Sequence, residues 1–219
     1  MAAVIRFLLV RHGQSTWNAS GRWQGQADPP LTATGRRQAA EAAASVGTVD
    51  AVFSSTLERA RVTAEIMAEA IGVGPVVSLP GLVERCAGEW EGLTRDEIEE
   101  RYPGFLDRGD RPPAWEADTA LEERAMSALG QILAGLGELV GTSVGPLIGS
   151  GQEVADVDLD VVVVTHGGLI YQVERRFGAP FERMSNLGAR RLVWTGGDWR
   201  LDDRVDLLHG IDVTIPDQI

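Results

Sequence analysis

Val4-Ile5-Arg6-Phe7-Leu8-Leu9-Val10-Arg11-His12-Gly13 and Asp160-Val161-Val162-Val163-Val164-Thr165-His166-Gly167-Gly168 decide the fold. Each is a short apolar run that stops at a histidine followed by glycine. Runs of this length, rich in valine and leucine, read as strands buried on both faces of a parallel sheet. Ala51 to Ser55 and Val76 to Leu79 are weaker candidates of the same kind.

Helical patterns lie between these runs. Ala33 to Val46 follows a Thr32 cap, and Leu57 to Ile71 ends before Gly72. Thr94 to Arg101 opens on a Thr94/Glu97 capping box and is stopped by Pro103. Ala120 to Val140 carries Leu121, Ala125, Leu129, Ile132, Leu136 and Leu139 at helical spacing, with Thr119/Glu122 as a second box. Gly168 to Phe177 is closed by Gly178 and Pro180. Arg190 to Thr195 and Trp199 to Val205 form a late strand pair around Gly196-Gly197. Strands alternating with helices specify an α/β fold, a three-layer α/β/α sandwich on a mostly parallel central sheet. The segment 141–159, rich in glycine and acids and without periodicity, is expected to be a long flexible surface loop.

Composition narrows the chemistry. The chain has 219 residues and a formal charge of −12, and all 20 of its basic residues are arginine. Without lysine there is no Walker-type phosphate loop, no pyridoxal Schiff base and no kinase-type strand lysine. An acidic surface argues against nucleic acid and against anionic membranes. Ala2 to Val10 is too short for a signal peptide and contains Arg6, and no apolar run approaches the ~18 residues of a membrane span. The lone Cys86 excludes an internal disulfide and fits a reducing compartment, so a cytoplasmic protein is expected.

Open α/β sheets bind ligands at the carboxyl ends of their strands. Arg11-His12-Gly13, Arg59 after Ser54-Ser55, Glu84 after the Val76 run, and Thr165-His166-Gly167-Gly168 all fall there. Arginine forks match phosphate oxygens, a neutral histidine is a nucleophile, and a glutamate can protonate a leaving oxygen. The glycines let backbone approach a ligand, and Gly167-Gly168 sets a helix N-terminus beside His166.

Arg11-His12-Gly13-Gln14-Ser15-Thr16-Trp17-Asn18 resembles the signature of the histidine phosphatase superfamily, the phosphoglycerate-mutase-like proteins. The resemblance continues through Gly21-Arg22-Trp23-Gln24-Gly25-Gln26, Pro30-Leu31-Thr32, Gly35 and Gln38-Ala39. Ser54-Ser55 with Arg59-Ala60, Leu82-Val83-Glu84, Gly88-Glu89-Trp90-Glu91-Gly92 and Thr165-His166-Gly167-Gly168 complete it in the family's order. It implies one histidine-phosphatase-like domain over 1–219. It further implies that His12 attacks phosphorus to form a phosphohistidine, and that Arg11, Arg59 and His166 clamp the phosphoryl oxygens with Asn18 assisting. Glu84 would serve as general acid and then base. No metal and no organic cofactor are implied. Gln24 and Gly25 are candidates for lining the substrate pocket, with loop capping as the alternative. Nearby arginines favour neutral His12, and a bound phosphate dianion favours protonated Glu84.

The family divides between hydrolysis and transfer to a second hydroxyl. Its mutases carry an insertion after the acid motif with lysine and paired arginines. Leu93 to Thr119 is short, has no lysine, and spreads Arg101, Arg108 and Arg111 apart. That favours a phosphatase acting on a small phosphorylated metabolite, with a phosphoglycerate mutase as the alternative and a non-catalytic phospholigand-binding module behind it. The Gly-Glu-Ser that often precedes the family's long helix is replaced by Glu116-Ala117-Asp118-Thr119, which leaves the substrate open. The family includes monomers and dimers, so a homodimer also stays open.

Other residues have plainer readings. His209, without a partner motif, is expected at the surface, and Cys86 as a small buried filler. Asp156, Asp158 and Asp160 alternate but lack the glycine of a calcium loop and read as a solvated entry to a strand. Trp17, Trp23, Trp90 and Trp115 lie near pocket-forming segments and are candidates to contact an organic leaving group.

Overall fold

The computed structural model describes residues 3–139 and 157–208. Strands β1 (Val4–Arg11), β2 (Ala51–Ser55), β3 (Val77–Leu79), β4 (Asp158–Thr165), β5 (Gly188–Thr195) and β6 (Asp198–Asp206) form one sheet. Their order is β3-β2-β4-β1-β5-β6. The two decisive apolar runs are central neighbours: β1 and β4 pair in parallel, with Leu8 opposite Val162 and Arg11 opposite Thr165. β2 and β3 extend the parallel half, and β5 and β6 add an antiparallel edge on the other side of β1.

The helices are α1 (Thr16–Ala19), α2 (Ala33–Val46), α3 (Glu58–Ile71), α4 (Arg95–Arg101), α5 (Phe105–Arg108), α6 (Asp118–Leu139) and α7 (Gly167–Arg176). Alternation along β1 sorts them into layers, because successive side chains leave opposite faces of the sheet. Ile5, Phe7 and Leu9 pack with Val161 and Val163 under α6 and α7. Val10 packs with Val162 and Val164 against the alanine-rich faces of α2 and α3. Burying both faces of these central strands fixes the three-layer α/β/α sandwich, because neither face tolerates water. A third apolar cluster of Trp23, Ala87, Trp90, Leu93 and Ile98 builds a small cap beside this sandwich.

Local signals explain the element ends. Thr32 Oγ1 accepts from the Gly35 N–H at 2.9 Å. Thr94 and Glu97 form the expected capping box, and Gly72 ends α3 in the left-handed conformation. Three expectations are corrected. The Thr119/Glu122 box is not formed: α6 begins at Asp118, and Glu122 instead receives the Arg176 guanidinium and, at 3.3 Å, the Gln172 amide, both from α7. Tertiary pairing outcompetes the local cap. β4 begins at Asp158, so Asp158 and Leu159 belong to the sheet and not to a loop. Asp158 is held by the Arg6 guanidinium, one bond being 2.9 Å, which explains the acidic alternation without a cation. α7 takes in Gly167, with His166 at its N-cap. The remainder of the expected flexible loop, together with Asp156 and His209, lies outside the described residues.

Candidate active site

β1 ends at Arg11 and hands the chain to His12, whose N–H bonds to Thr165 O of the neighbouring strand at 3.0 Å. His12 and His166 therefore arrive side by side at the strand ends, with ring centroids 5.2 Å apart. His12 Nδ1 lies 2.7 Å from the Gly13 carbonyl. A carbonyl only accepts, so Nδ1 carries the proton and Nε2 carries the lone pair. The His12 carbonyl in turn accepts from Asn186 Nδ2 at 2.9 Å.

Arg59 enters from the first turn of α3 and has no exposed surface. Its Nη1 and Nη2 donate to the carbonyls of Ala27 and Gly25 at 2.7 and 2.8 Å, and its Nε faces His12 Nε2 at 3.2 Å. Arg11 is anchored by one bond from Nη1 to the Met184 carbonyl, while its buried Nε has no partner. His166 Nε2 lies 2.8 Å from Ser55 Oγ, and its buried Nδ1 has no partner either.

Burial governs the electrostatics. Desolvation, then the charges of Arg59 and Arg11, hold His12 well below the ordinary histidine value. His166 is pushed the same way by burial, then by Arg59 and His12. Burial lowers Arg59 to about 10, opposed chiefly by Glu84 and Asp28, so it remains a cation at neutral pH. Both imidazoles are thus neutral beside two permanent charges.

Glu84 follows the short turn after β3. Its Oε1 accepts from the Arg85 N–H at 2.7 Å and its Oε2 from the Gly168 N–H, at the N-terminus of α7, at 3.1 Å. Gly168 is required for this seat, because a Cβ there would stand 2.5 Å from Glu84 Oε1. Gly25 is required too: its φ is +52° and a Cβ would meet Glu91 Oε1 at 2.0 Å.

A cavity of about 70 Å³ opens over this cluster, walled by Arg11, His12, Trp23, Gln24, Gly25, Glu84, Arg85, Ala87, Trp115 and Gly168. Of the anticipated residues, Arg11, His12, Glu84, Gln24 and Gly25 reach its wall, while Arg59 and His166 lie fully buried behind it. Gln24 also caps, accepting from Ser15 Oγ at 2.7 Å. Asn18 is placed differently from its expected role: it is not a wall residue, and its Oδ1 receives the Ser15 N–H at 3.1 Å and Asn186 Nδ2 at 3.3 Å. Trp23 and Trp115 wall the cavity, whereas Trp90 is buried behind them and Trp17 lies against Gly92. Cys86 is half-buried rather than a core filler, with its Sγ 3.5 Å from the Ala114 carbonyl. Among the described residues no His, Cys, Asp and Glu converge as a metal-binding group, and no helix is long and apolar enough to cross a membrane.

The model of the histidine phosphatase superfamily (branch 1) matches residues 7–144. The chain belongs to this superfamily. A metal-independent phosphoserine phosphatase from Arabidopsis thaliana is 31% identical over 218 residues, covering 94% of this chain and 83% of the relative. The probable phosphoglycerate mutase GpmB of Klebsiella pneumoniae subsp. pneumoniae is 33% identical over 225 residues, covering 99% of each. Among solved structures, the mycobacterial glucosyl-3-phosphoglycerate phosphatase Rv2419c complexed with VO3 superposes with a TM-score of 0.73 at 29% identity. That match covers 90% of this chain and 97% of the other. The superfamily places the chain among phosphoryl-transfer enzymes.

As a histidine phosphatase superfamily member the chain carries supporting residues that sequence reasoning missed. Arg124 of α6 donates to the carbonyls of Gly81, Val83 and Glu84 at 3.0, 2.6 and 2.8 Å, and grips both oxygens of Glu116. It thereby fixes the backbone that presents Glu84. The one available signal was an arginine beside an apolar helical stripe. Asn186 and Ser55, which steady His12 and His166, had none.

Proposed function

We propose that the chain is a metal-independent phosphomonoesterase that works through a phosphohistidine at His12, with Glu84 as general acid and base. The observation that carries this reading is the pair of buried, unpartnered donors, Arg11 Nε and His166 Nδ1, around a neutral His12. A buried donor left unpaired costs about 1–3 kcal/mol, and the oxygens of a phosphoryl group would relieve it. For His166 this requires the tautomer with its proton on Nδ1, Nε2 then accepting from the Ser55 hydroxyl.

His12 Nε2 attacks phosphorus opposite the ester oxygen. The P–O bond breaks, its electron pair stays on the alcohol oxygen, and Glu84 supplies the proton. Water then attacks the phosphohistidine, Glu84 takes a proton from it, and the P–N bond breaks to return neutral His12 and free phosphate. Arg11 and Arg59 balance the charge that accumulates on the transferring group. Glu84, seated on two backbone N–H groups, stays within reach of the leaving oxygen in both half-reactions.

Hydrolysis of an aryl phosphate with and without chelator tests this. His12→Ala is expected to abolish turnover and the acid-quenched phosphoenzyme, and chelator to change nothing. Turnover that survives His12→Ala, or that disappears on chelation, overturns the mechanism. Identity to GpmB over nearly its whole length favours a second reading, phosphoglycerate mutase. Rapid phosphoglycerate isomerisation primed by bisphosphoglycerate, with negligible phosphate release, would establish it instead.

A further inference from the structure

A second cavity, of about 440 Å³, adjoins the catalytic one and shares Trp23, Arg85, Trp115 and Gly168 with it. Its volume falls within the range of ~300–1,000 Å³ typical of small-molecule sites. Trp115 and Tyr171 supply aromatic surface, and Phe181 stands on its wall with 60% of its surface exposed, edge-on to Tyr171 at 5.0 Å between centroids. An aromatic ring left this open offers contact area that the protein itself does not use.

The charge of this chamber opposes that of the molecule. Arg85, Arg95, Arg111 and Arg175 line it, against Asp118 and Glu174. Asp118 is taken by both Arg85, at 2.8 Å, and Arg175. Glu174 is taken by Arg204, which is not a wall residue, at 2.6 Å. Among the described residues Arg95 and Arg111 have no carboxylate within ion-pair distance. Arg111 donates to the Asp110 carbonyl at 3.2 Å and lies over the Trp115 ring at 4.9 Å, while Arg85 lies 5.4 Å from the same ring. Burial and the neighbouring Arg85 both lower the basicity of Arg111, and an anion beside the two guanidiniums would offset that repulsion.

We propose that this chamber is a subsite for a second anionic group on the substrate's alcohol, held by Arg111 beside the face of Trp115. The substrate is then a phosphomonoester whose leaving alcohol is an acid on a ring-sized body. This rests on the phosphomonoesterase reading above. The phosphoryl group occupies the inner cavity, Trp115 lies along the body, and the acidic group reaches Arg111. A carboxylate and a second phosphate share this chemistry.

Matched probes test it: phenyl phosphate, carboxyphenyl phosphate and phenylene bisphosphate. The wild type is expected to favour one or both acidic esters about ten-fold or more in kcat/KM, as a charged hydrogen bond would give. Which ester gains tells carboxylate from phosphate. Arg111→Gln should erase most of that preference. Arg108→Gln, which removes an arginine paired with Asp110 outside the chamber, should retain it. Binding of hydroxybenzoate against phenol by calorimetry needs no turnover, and should favour hydroxybenzoate in the wild type and lose that preference in Arg111→Gln. Phenyl phosphate hydrolysed through His12 with no preference for the acidic esters overturns the subsite and leaves the phosphomonoesterase reading intact. Preferential binding of hydroxybenzoate through Arg111 without hydrolysis of any ester overturns the phosphomonoesterase reading and retains the subsite. Equal binding of hydroxybenzoate and phenol overturns the subsite whatever the kinetics.

Discussion

His12 and His166 sit a ring's width apart with no room for water, and their neighbours are cations. Both take up a proton near 6.5 once unfolded, but well below that in the folded chain. Below 6.5 the unfolded chain therefore binds more protons than the folded one, so stability falls as pH falls, while above 6.5 this contribution is complete. Urea midpoints should be level from about pH 8 to about pH 7 and drop towards about pH 5, with a shallower drop in His166→Gln. A midpoint unchanged down to about pH 5 would contradict the burial of neutral imidazoles. In activity the same shift acts oppositely: His12 keeps its lone pair below 6.5, so kcat/KM should show no acid limb there. Gly168 gives a sharper local test. Gly168→Ala forces a methyl to 2.5 Å from Glu84 Oε1 and displaces the carboxylate. Turnover of an alkyl phosphate, whose leaving oxygen needs a proton, should fall about 100-fold more than that of nitrophenyl phosphate, whose leaving oxygen hardly does.

At the level of elements, α6 acts on the site at a distance. Its Leu121, Ala125, Leu129, Ile132 and Leu136 bury against the sheet, and Arg124 reaches from the same helix to the carbonyls under Glu84. Arg124→Met should leave those carbonyls short of a donor and loosen the presentation of the acid. The expected result is a loss of about 10- to 100-fold on alkyl phosphates and a smaller one on nitrophenyl phosphate. An equal loss on both would mean damage to the fold rather than to the acid. The apolar stripe of α6 was legible because it repeats with the helical period, and β1 and β4 were legible because both faces are buried. Arg124 was not, because its partners lie about 40 residues upstream and are carbonyls, which carry no mark in the sequence. The Thr119/Glu122 box failed for the same kind of reason: α7 brings Arg176 and Gln172 to Glu122, and no local pattern announces a neighbour 50 residues away. The site's charged and nucleophilic members were readable because glycines and strand ends flank them. Asn186 and Ser55 entered only through contacts.

Across the whole molecule, a charge of −12 surrounds a site and a chamber built from arginine. A phosphate dianion far from the surface meets the acidic body first, and meets the guanidiniums only at short range. Raising ionic strength from about 0.01 M to about 0.15 M shortens the screening length from about 30 Å to about 8 Å. That should raise kcat/KM for a dianionic ester and leave kcat nearly level. A fall in kcat/KM would show the arginine field dominating even at long range. The aromatic cluster beside the site has a consequence of another kind. Trp23, Trp90 and Trp115 pack within about 6 Å of one another, ring to ring, and two of them wall both cavities. Half of the chain's six tryptophans are thus gathered where a ligand would displace water and disturb two stacked guanidiniums. Ultraviolet emission therefore reports occupancy directly: vanadate in the inner cavity and an aromatic acid in the outer one should each shift its intensity, giving the unmodified chain its own optical probe of binding.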